Sequence, residues 1–132
     1  SIFVGIYLID LANNNILVSP YFVMNLLWYP AYETLFSIIR KVLTKKSALS
    51  PDNLHLHQLI YLYLKDKISN KYHANSLSGV LINIYNLFFF YFISQDYSNT
   101  KYQLLIFCFS FIIYNCLYVV IKSNLKRKKL II

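Results

Sequence analysis

Two long apolar runs without any charge constrain this chain more than any other feature. Residues 77–94 (LSGVLINIYNLFFFYFIS) and 104–121 (LLIFCFSFIIYNCLYVVI) contain 18 residues each and no Asp, Glu, Lys or Arg. As helices they would each span about 27 Å, close to the thickness of the hydrocarbon core of a bilayer. Only 14% of all residues are charged, against about 25% in an average soluble domain. The sequence therefore predicts an all-α, polytopic helical membrane protein.

Two further apolar segments precede these runs. Residues 16–32 are long enough to cross a bilayer, and Ser19 and Pro20 are typical of a helix start, with serine as N-cap and proline in the first turn. Residues 1–12 are too short to cross, and we expect them to be the end of a transmembrane helix that begins upstream. The asparagine run 13–15 between the two segments predicts a turn. Together the patterns predict about three full transmembrane helices and a truncated N-terminal one.

The basic residues are distributed unevenly over the predicted loops. The net charge is +8, and residues 95–103 contain one basic residue, Lys101. The basic residues of 33–76 are Arg40, Lys41, Lys45, Lys46, Lys65, Lys67 and Lys71, and those of 122–132 are Lys122, Lys126, Arg127, Lys128 and Lys129. The positive-inside rule therefore places 33–76 and the tail 122–132 in the cytoplasm, and 95–103 outside. Because these residues flank membrane spans and no recognition motif accompanies them, no nucleic acid partner is predicted.

The cytoplasmic loop contains a polar cluster that begins with a helix signal. Ser50 as N-cap, Pro51 at the first helical position and Asp52 in the first turn together predict a helix start. We expect this helix to continue to about Lys65.

Two histidines follow that signal at a spacing of two residues. On a helix, His55 and His57 would point about 200° apart, which disfavours their sharing one metal ion. A helix N-terminus instead favours an anion such as a phosphate, and this helix start lies beside the seven basic residues of 33–76. The pattern therefore indicates a diphosphate site at the membrane surface.

Residues 25–62 (NLLWYPAYETLFSIIRKVLTKKSALSPDNLHLHQLIYL) resemble the C-terminal cytoplasmic region of the polyprenyl-phosphate N-acetylhexosamine-1-phosphate transferases. These membrane enzymes form glycosyltransferase family 4 and are related to the muramoyl-pentapeptide lipid-carrier transferases. The matching pattern is Pro30, Glu33-Thr34, Arg40, Ser50-Pro51-Asp52 and His55-Leu56-His57. Two positions depart from it, since many members have a further His where this chain has Gln58, and Asp where it has Glu33. These departures leave the sugar open.

The resemblance implies transfer of a sugar 1-phosphate from a UDP-sugar to polyprenyl phosphate in the bacterial inner membrane, for cell-surface glycan synthesis. By resemblance, Arg40, Asp52, His55 and His57 would bind the sugar nucleotide, with the guanidinium of Arg40 available for bidentate phosphate contact. The aspartates that hold Mg²⁺ in the family would lie before Ser1, so neither catalytic residues nor metal ligands are assigned here, and the chain alone is expected to be inactive. The implied partners are a UDP-sugar, polyprenyl phosphate and the lipid bilayer, with a homodimer left open.

A second interpretation belongs to a different class of protein. The chain could be a small membrane scaffold or partner subunit whose basic cytoplasmic loops bind anionic lipid, to which each basic residue would contribute about 1 kcal/mol. The segment 50–57 distinguishes the two interpretations, since lipid binding requires lysines but not a Pro-Asp-x-x-His-x-His pattern.

Overall fold

The computed structural model describes residues 2–45, 47, 52 and 54–130, and within these residues it contains six α-helices and no strand. The helices are α1 (Ile2–Asn14), α2 (Pro20–Leu26), α3 (Trp28–Leu43), α4 (Leu56–Lys65), α5 (Lys71–Gln95) and α6 (Thr100–Arg127). The prediction of an all-α chain is confirmed.

Helices α5 and α6 form an antiparallel hairpin and are the two described helices that are long and apolar enough to cross a membrane. They contain the predicted spans 77–94 and 104–121, and asparagine side chains cap both starts: Asn70 accepts a hydrogen bond from the Tyr72 N–H, and Asn99 from the Tyr102 N–H. Only 22% of the most apolar 18 residues of each helix is buried inside the protein. Their apolar surface therefore faces mostly outward, as contact with lipid requires.

The predicted span 16–32 does not form one continuous helix. Its start is confirmed, because Ser19 is the N-cap and its Oγ accepts a hydrogen bond from the Tyr21 N–H at 3.3 Å. However, α2 ends at Leu26 and α3 begins at Trp28. Pro30 has no N–H to donate to the carbonyl four residues earlier, at Leu26, and its ring crowds that carbonyl. With 7 and 16 residues, neither helix reaches the length of about 20 that a span needs, so a third full span is not confirmed.

The asparagine run continues α1 instead of ending it. α1 extends through Asn14, and the turn lies at residues 15–18. The side chain of Asn14 donates to Asp10 Oδ1 at 2.9 Å, and that of Asn15 donates to the Leu11 carbonyl at 3.0 Å. The prediction of a turn at 13–15 was therefore wrong by two residues, because asparagine side chains satisfied polar groups of the last helical turn.

A buried polar network fastens α2 to the loop end of the hairpin. Gln103 is fully buried, and its Nε2 donates to the carbonyls of Ile93 and Asp96, both at 2.8 Å. Asn25 Nδ2 in turn donates to both the backbone and side-chain oxygens of Gln103 at 2.9 Å. At the opposite end of the hairpin, α4 packs on α5 and α6. The larger core lies there, and its buried members are Trp28, Leu56, Leu59, Ile82, Tyr114, Tyr118 and Leu125.

Candidate functional site

Helix α3 is polar on its inner face and apolar on its outer face. Glu33, Ser37 and Arg40 follow a spacing of four and three residues, which places them on one side of a helix, and Glu33 and Ser37 are buried. The opposite side exposes apolar side chains at 51–77% of their surface: Leu35, Ile38, Ile39, Val42 and Leu43. A helix on the surface of a soluble protein has the reverse arrangement. The outer face of α3 is therefore suited to contact with lipid.

Arg40 and Asp52 form an ion pair on the inner face of α3. Arg40 Nη2 donates to Asp52 Oδ2 at 2.5 Å, and the two side chains are only 12% and 10% exposed. Ser37 Oγ donates to the same oxygen at 2.5 Å, and the Leu54 N–H donates to Oδ1 at 3.0 Å. Burial by itself would raise the pKa of Asp52, but the hydrogen bonds from Ser37, Arg40 and Leu54 outweigh it and lower the pKa from 3.8 to about 2. Asp52 is therefore a carboxylate at neutral pH.

Two aromatic rings hold the guanidinium of Arg40 in place. Its central carbon lies 4.8 Å from the ring centroid of Phe36 and 5.4 Å from that of Tyr118, both within the range of a cation–π contact. Arg40 Nη1 also donates to the Tyr118 hydroxyl at 3.3 Å. Lys122 Nζ lies 5.4 Å from the same Tyr118 ring. Two nitrogens of Arg40, Nη1 and Nη2, therefore already donate hydrogen bonds to residues of this protein. The bidentate contact of Arg40 with a phosphate stays a prediction.

Glu33 and His55 form a second pair, 22 residues apart in the chain. Glu33 Oε2 lies 2.8 Å from His55 Nδ1, and Oε1 accepts hydrogen bonds from the Leu56 N–H at 2.9 Å and the Tyr29 hydroxyl at 3.2 Å. The Glu33 side chain is 9% exposed, and that of His55 is 25% exposed. Because Leu56 is the first residue of α4, the carboxylate of Glu33 satisfies one of the N–H groups that a helix start leaves without a partner.

The start of α4 differs from the prediction. The helix begins at Leu56 with His55 as its N-cap, and Gln58 Oε1 accepts from the His55 N–H at 3.3 Å. The predicted start at 50–52 was wrong because the Asp52 carboxylate accepts from Ser37 and Arg40 of α3 as well as from Leu54. Ser50 and Pro51 lie outside the described residues. The predicted end at Lys65 is confirmed.

The rings of His55 and His57 are nearly parallel and stacked. Their centroids are 5.7 Å apart and their planes differ by 13°, because His55 precedes the helix in an extended conformation while His57 occupies its first turn. The expectation that they point to different faces of one helix was therefore wrong. His57 is exposed, and His73 lies apart from the pair in the first turn of α5, also exposed. Within the described ranges no group of three His, Cys, Asp or Glu is placed to hold a metal ion.

The structure brings Arg40, Asp52, His55 and His57 to one end of the bundle and adds residues that the sequence did not single out as a site. Glu33 and Ser37 could have been found from their spacing with Arg40 on a helix whose other face is apolar. Tyr118 gave no such signal, since it is one of 13 tyrosines in an otherwise apolar stretch. We call the set Glu33, Ser37, Arg40, Asp52 and His55 the α3–α4 cluster.

Comparisons of the chain with protein-family models, with curated proteins and with solved structures found no match.

Proposed function

We propose that this chain is the C-terminal part of a membrane phosphoglycosyl transferase that moves a sugar 1-phosphate from a UDP-sugar to polyprenyl phosphate. The observation that supports it is the α3–α4 cluster. Residues that carry the family resemblance, separated by up to 22 positions, meet on one face of α3 as the Arg40–Asp52 ion pair and the Glu33–His55 hydrogen bond. A segment that bound lipid through its lysines would have no need of such buried pairs.

The position of the cluster suits a reaction between a soluble and a lipid substrate. It lies at the end of the hairpin opposite the 96–99 loop, where α4 packs on α5 and α6, and beside the outward apolar face of α3. Lys122 is near the cluster as an additional cation. A site between water and lipid that contains Arg40 and Lys122 would favour the diphosphate of a nucleotide sugar next to a lipid-borne phosphate.

In this reaction an oxygen of the polyprenyl phosphate attacks the sugar-bearing phosphorus of the UDP-sugar. The bond between that phosphorus and the bridging oxygen of the diphosphate breaks, and UMP leaves. The residues proposed to bind the sugar nucleotide are Arg40, Asp52, His55 and His57. Arg40 would bind the diphosphate through its N–H donors, Asp52 would hold the guanidinium of Arg40 in place, and the two histidines would help to orient the sugar nucleotide.

The carboxylates of the cluster do not fit a Mg²⁺ site. Glu33 accepts hydrogen bonds from Tyr29, His55 and Leu56. Asp52 likewise accepts three, from Ser37, Arg40 and Leu54. Carboxylate oxygens that already accept hydrogen bonds from the protein are poor ligands for a cation that requires near-octahedral oxygen coordination. This agrees with the proposal that the Mg²⁺ ligands lie upstream of this chain, and we expect the purified chain alone to release no UMP from a UDP-sugar and polyprenyl phosphate.

Alanine substitution of the histidines in the complete enzyme tests the function. Removing a group that contacts the nucleotide should lower kcat/KM on the order of tenfold to thousandfold, equivalent to about 1.4–4 kcal/mol. We therefore expect this loss in UMP release for His55→Ala and His57→Ala, with unchanged membrane insertion. His73→Ala is the matched control, because His73 is an exposed histidine outside the cluster. Unchanged kcat/KM in both the His55→Ala and the His57→Ala variants would contradict the proposal and favour the lipid-binding scaffold.

The proposed orientation places the α3–α4 cluster on the cytoplasmic side of the bacterial inner membrane. Single cysteines at the exposed positions Ser69 and Ser98 test it, in a chain whose own Cys108 and Cys116, both free and exposed, have been replaced. An impermeant thiol reagent applied to intact cells should label position 98 and not position 69. The reverse pattern would overturn the orientation.

A further inference from the structure

We propose that Glu33 is a positioning residue that holds His55 in the tautomer with its proton on Nδ1, so that Nε2 is presented to the substrate as a hydrogen-bond acceptor. The part of this proposal that concerns substrate rests on the proposed function. The tautomer itself can be measured without any substrate.

The first step of the argument is that the Glu33 carboxylate can only accept hydrogen bonds. The tyrosine hydroxyl and the backbone N–H at its Oε1 are both donors, at 3.2 Å and 2.9 Å. The remaining contact, at 2.8 Å, joins Oε2 to His55 Nδ1. Since an ionised carboxylate has no proton to give, His55 Nδ1 must carry the hydrogen. In a neutral imidazole the proton can occupy only one nitrogen, so Nε2 then has a free lone pair.

The second step is that the arrangement is rigid. Glu33 is on a regular turn of α3 and 6% exposed, and three donors fix its two oxygens. His55 is held by its backbone as well, because its N–H donates to Gln58 Oε1 at 3.3 Å. A carboxylate that accepts a hydrogen bond from one ring nitrogen fixes the orientation and the tautomer of the whole imidazole. The residues that support metal-bound histidines act in the same way.

The third step concerns the free side of the ring. The side chain of His55 remains 25% exposed, which leaves part of the ring open to a substrate. The parallel ring of His57 covers one face at a centroid distance of 5.7 Å. An acceptor nitrogen would be repelled by the lone pairs of a phosphate oxygen. A neutral His55 therefore fits a hydroxyl or N–H of the sugar or the base, and this contact replaces the one to the diphosphate that the sequence predicted for His55.

Nitrogen NMR of the chain in micelles, with ¹⁵N-labelled histidine, tests the tautomer. At about pH 8, where an ordinary histidine is neutral, we expect His55 Nδ1 to resonate as a protonated nitrogen and Nε2 as an unprotonated one. His73 is the internal reference, and as an exposed histidine it should favour the Nε2–H tautomer, as free histidine does in water. An Nε2–H tautomer at His55 would overturn the proposal.

Two matched variants separate positioning from helix capping. Glu33→Gln keeps the shape of the side chain but offers one acceptor oxygen and a donor group, so the His55 resonances should shift towards a mixture of tautomers. Gln58→Ala removes a different hydrogen bond to His55 at the same helix start and should leave the tautomer unchanged. Equal effects of both variants would show a capping role alone and would refute positioning.

Kinetics of the complete enzyme connect the tautomer to the reaction. Glu33→Gln should lower kcat/KM by about tenfold or more, and adding His55→Ala should cause little further loss, because residues that act as a unit are not additive. Independent, multiplying losses would refute the positioning role in catalysis. A correct tautomer with unaltered kcat/KM in Glu33→Gln and in both histidine variants would instead refute the proposed function and leave the NMR result standing.

Discussion

The α5–α6 hairpin and the α3–α4 cluster expose the same kind of surface but bury different kinds of residue. Both present apolar side chains to their surroundings. Towards its loop end the hairpin buries mainly Phe89, Ile93 and Ile106, whereas the cluster buries the Arg40–Asp52 ion pair and the hydrogen bonds of Asp52 and Glu33. Buried ion pairs contribute little net stability because of the cost of removing charge from water. A buried ion pair on the inner face of α3 is therefore better explained by a site than by packing.

The largest effect should come from breaking one ion pair of the cluster. Arg40→Met leaves the Asp52 carboxylate buried beside an apolar chain, and removal of one partner of a buried pair costs on the order of 3–5 kcal/mol. We expect this loss in SDS-induced unfolding followed by the fluorescence of Trp28, the one tryptophan of the chain, which is buried against Tyr32. Lys101→Met, at an exposed lysine of the hairpin, should change stability little. Equal stability of the two variants would remove the contrast between the regions.

A smaller effect is expected from the buried amide of the hairpin. Gln103→Leu leaves the Ile93 and Asp96 carbonyls without their side-chain donor, and a buried polar group without a partner costs about 1–3 kcal/mol. The loss is limited because Asn25 keeps its bond to the Gln103 backbone carbonyl. The same unfolding assay measures it, with Gln95→Leu as an exposed control. A loss larger than that of Arg40→Met would show that the hairpin depends more on polar contacts than the cluster does.

Acid should weaken the cluster in a defined pH range. The pKa of Asp52 is about 2 in the folded protein, against an ordinary 3.8. A carboxyl whose folded pKa is lowered contributes stability above its unfolded pKa, and this contribution is lost as the pH falls from about 4 to about 2. The free energy of unfolding, measured between pH 6 and pH 2, should show this decrease in the parent chain. Asp52→Asn should lack that component, and an identical pH profile in both proteins would contradict the assignment.

The smallest predicted effect is at the cap of α2. Ser19→Ala removes the acceptor for the Tyr21 N–H and should cost about 1 kcal/mol. The backbone bond from the Ser19 N–H to the Tyr97 carbonyl, 3.0 Å long, is kept. Ser69→Ala, at an exposed serine, is the control in the same unfolding assay, and a loss equal to that of Ser19→Ala would show that the cap has no specific role.

The sequence predicted the hairpin better than it predicted the α3–α4 cluster. The two helices of the hairpin were predicted correctly because the absence of charge over 18 residues is a local property that favours a long apolar helix. The break between α2 and α3 also has a local cause, Pro30. It was not predicted, because the apolar run 16–32 around Pro30 is long enough for one continuous span. The start of α4 was wrong because it depends on contacts across the chain, from Glu33 to His55 and from Arg40 to Asp52. No local pattern contains such pairs.

The bond from Arg40 to Tyr118 joins residues 78 positions apart, and this has a consequence for biogenesis. During synthesis α3 leaves the ribosome long before α6, so Arg40 then lacks both the ring and the hydroxyl that later hold it. Burying a charge that lacks its partners is costly, and α3 contains Glu33 and Lys41 as well as Arg40. We expect the hairpin to integrate first and α3 to dock on it afterwards.

Nascent chains stalled before residue 118 should leave a cysteine at position 38 open to aqueous thiol reagents, whereas released chains should protect it. In this order of assembly, α6 acts as the template on which the earlier α3 completes its fold.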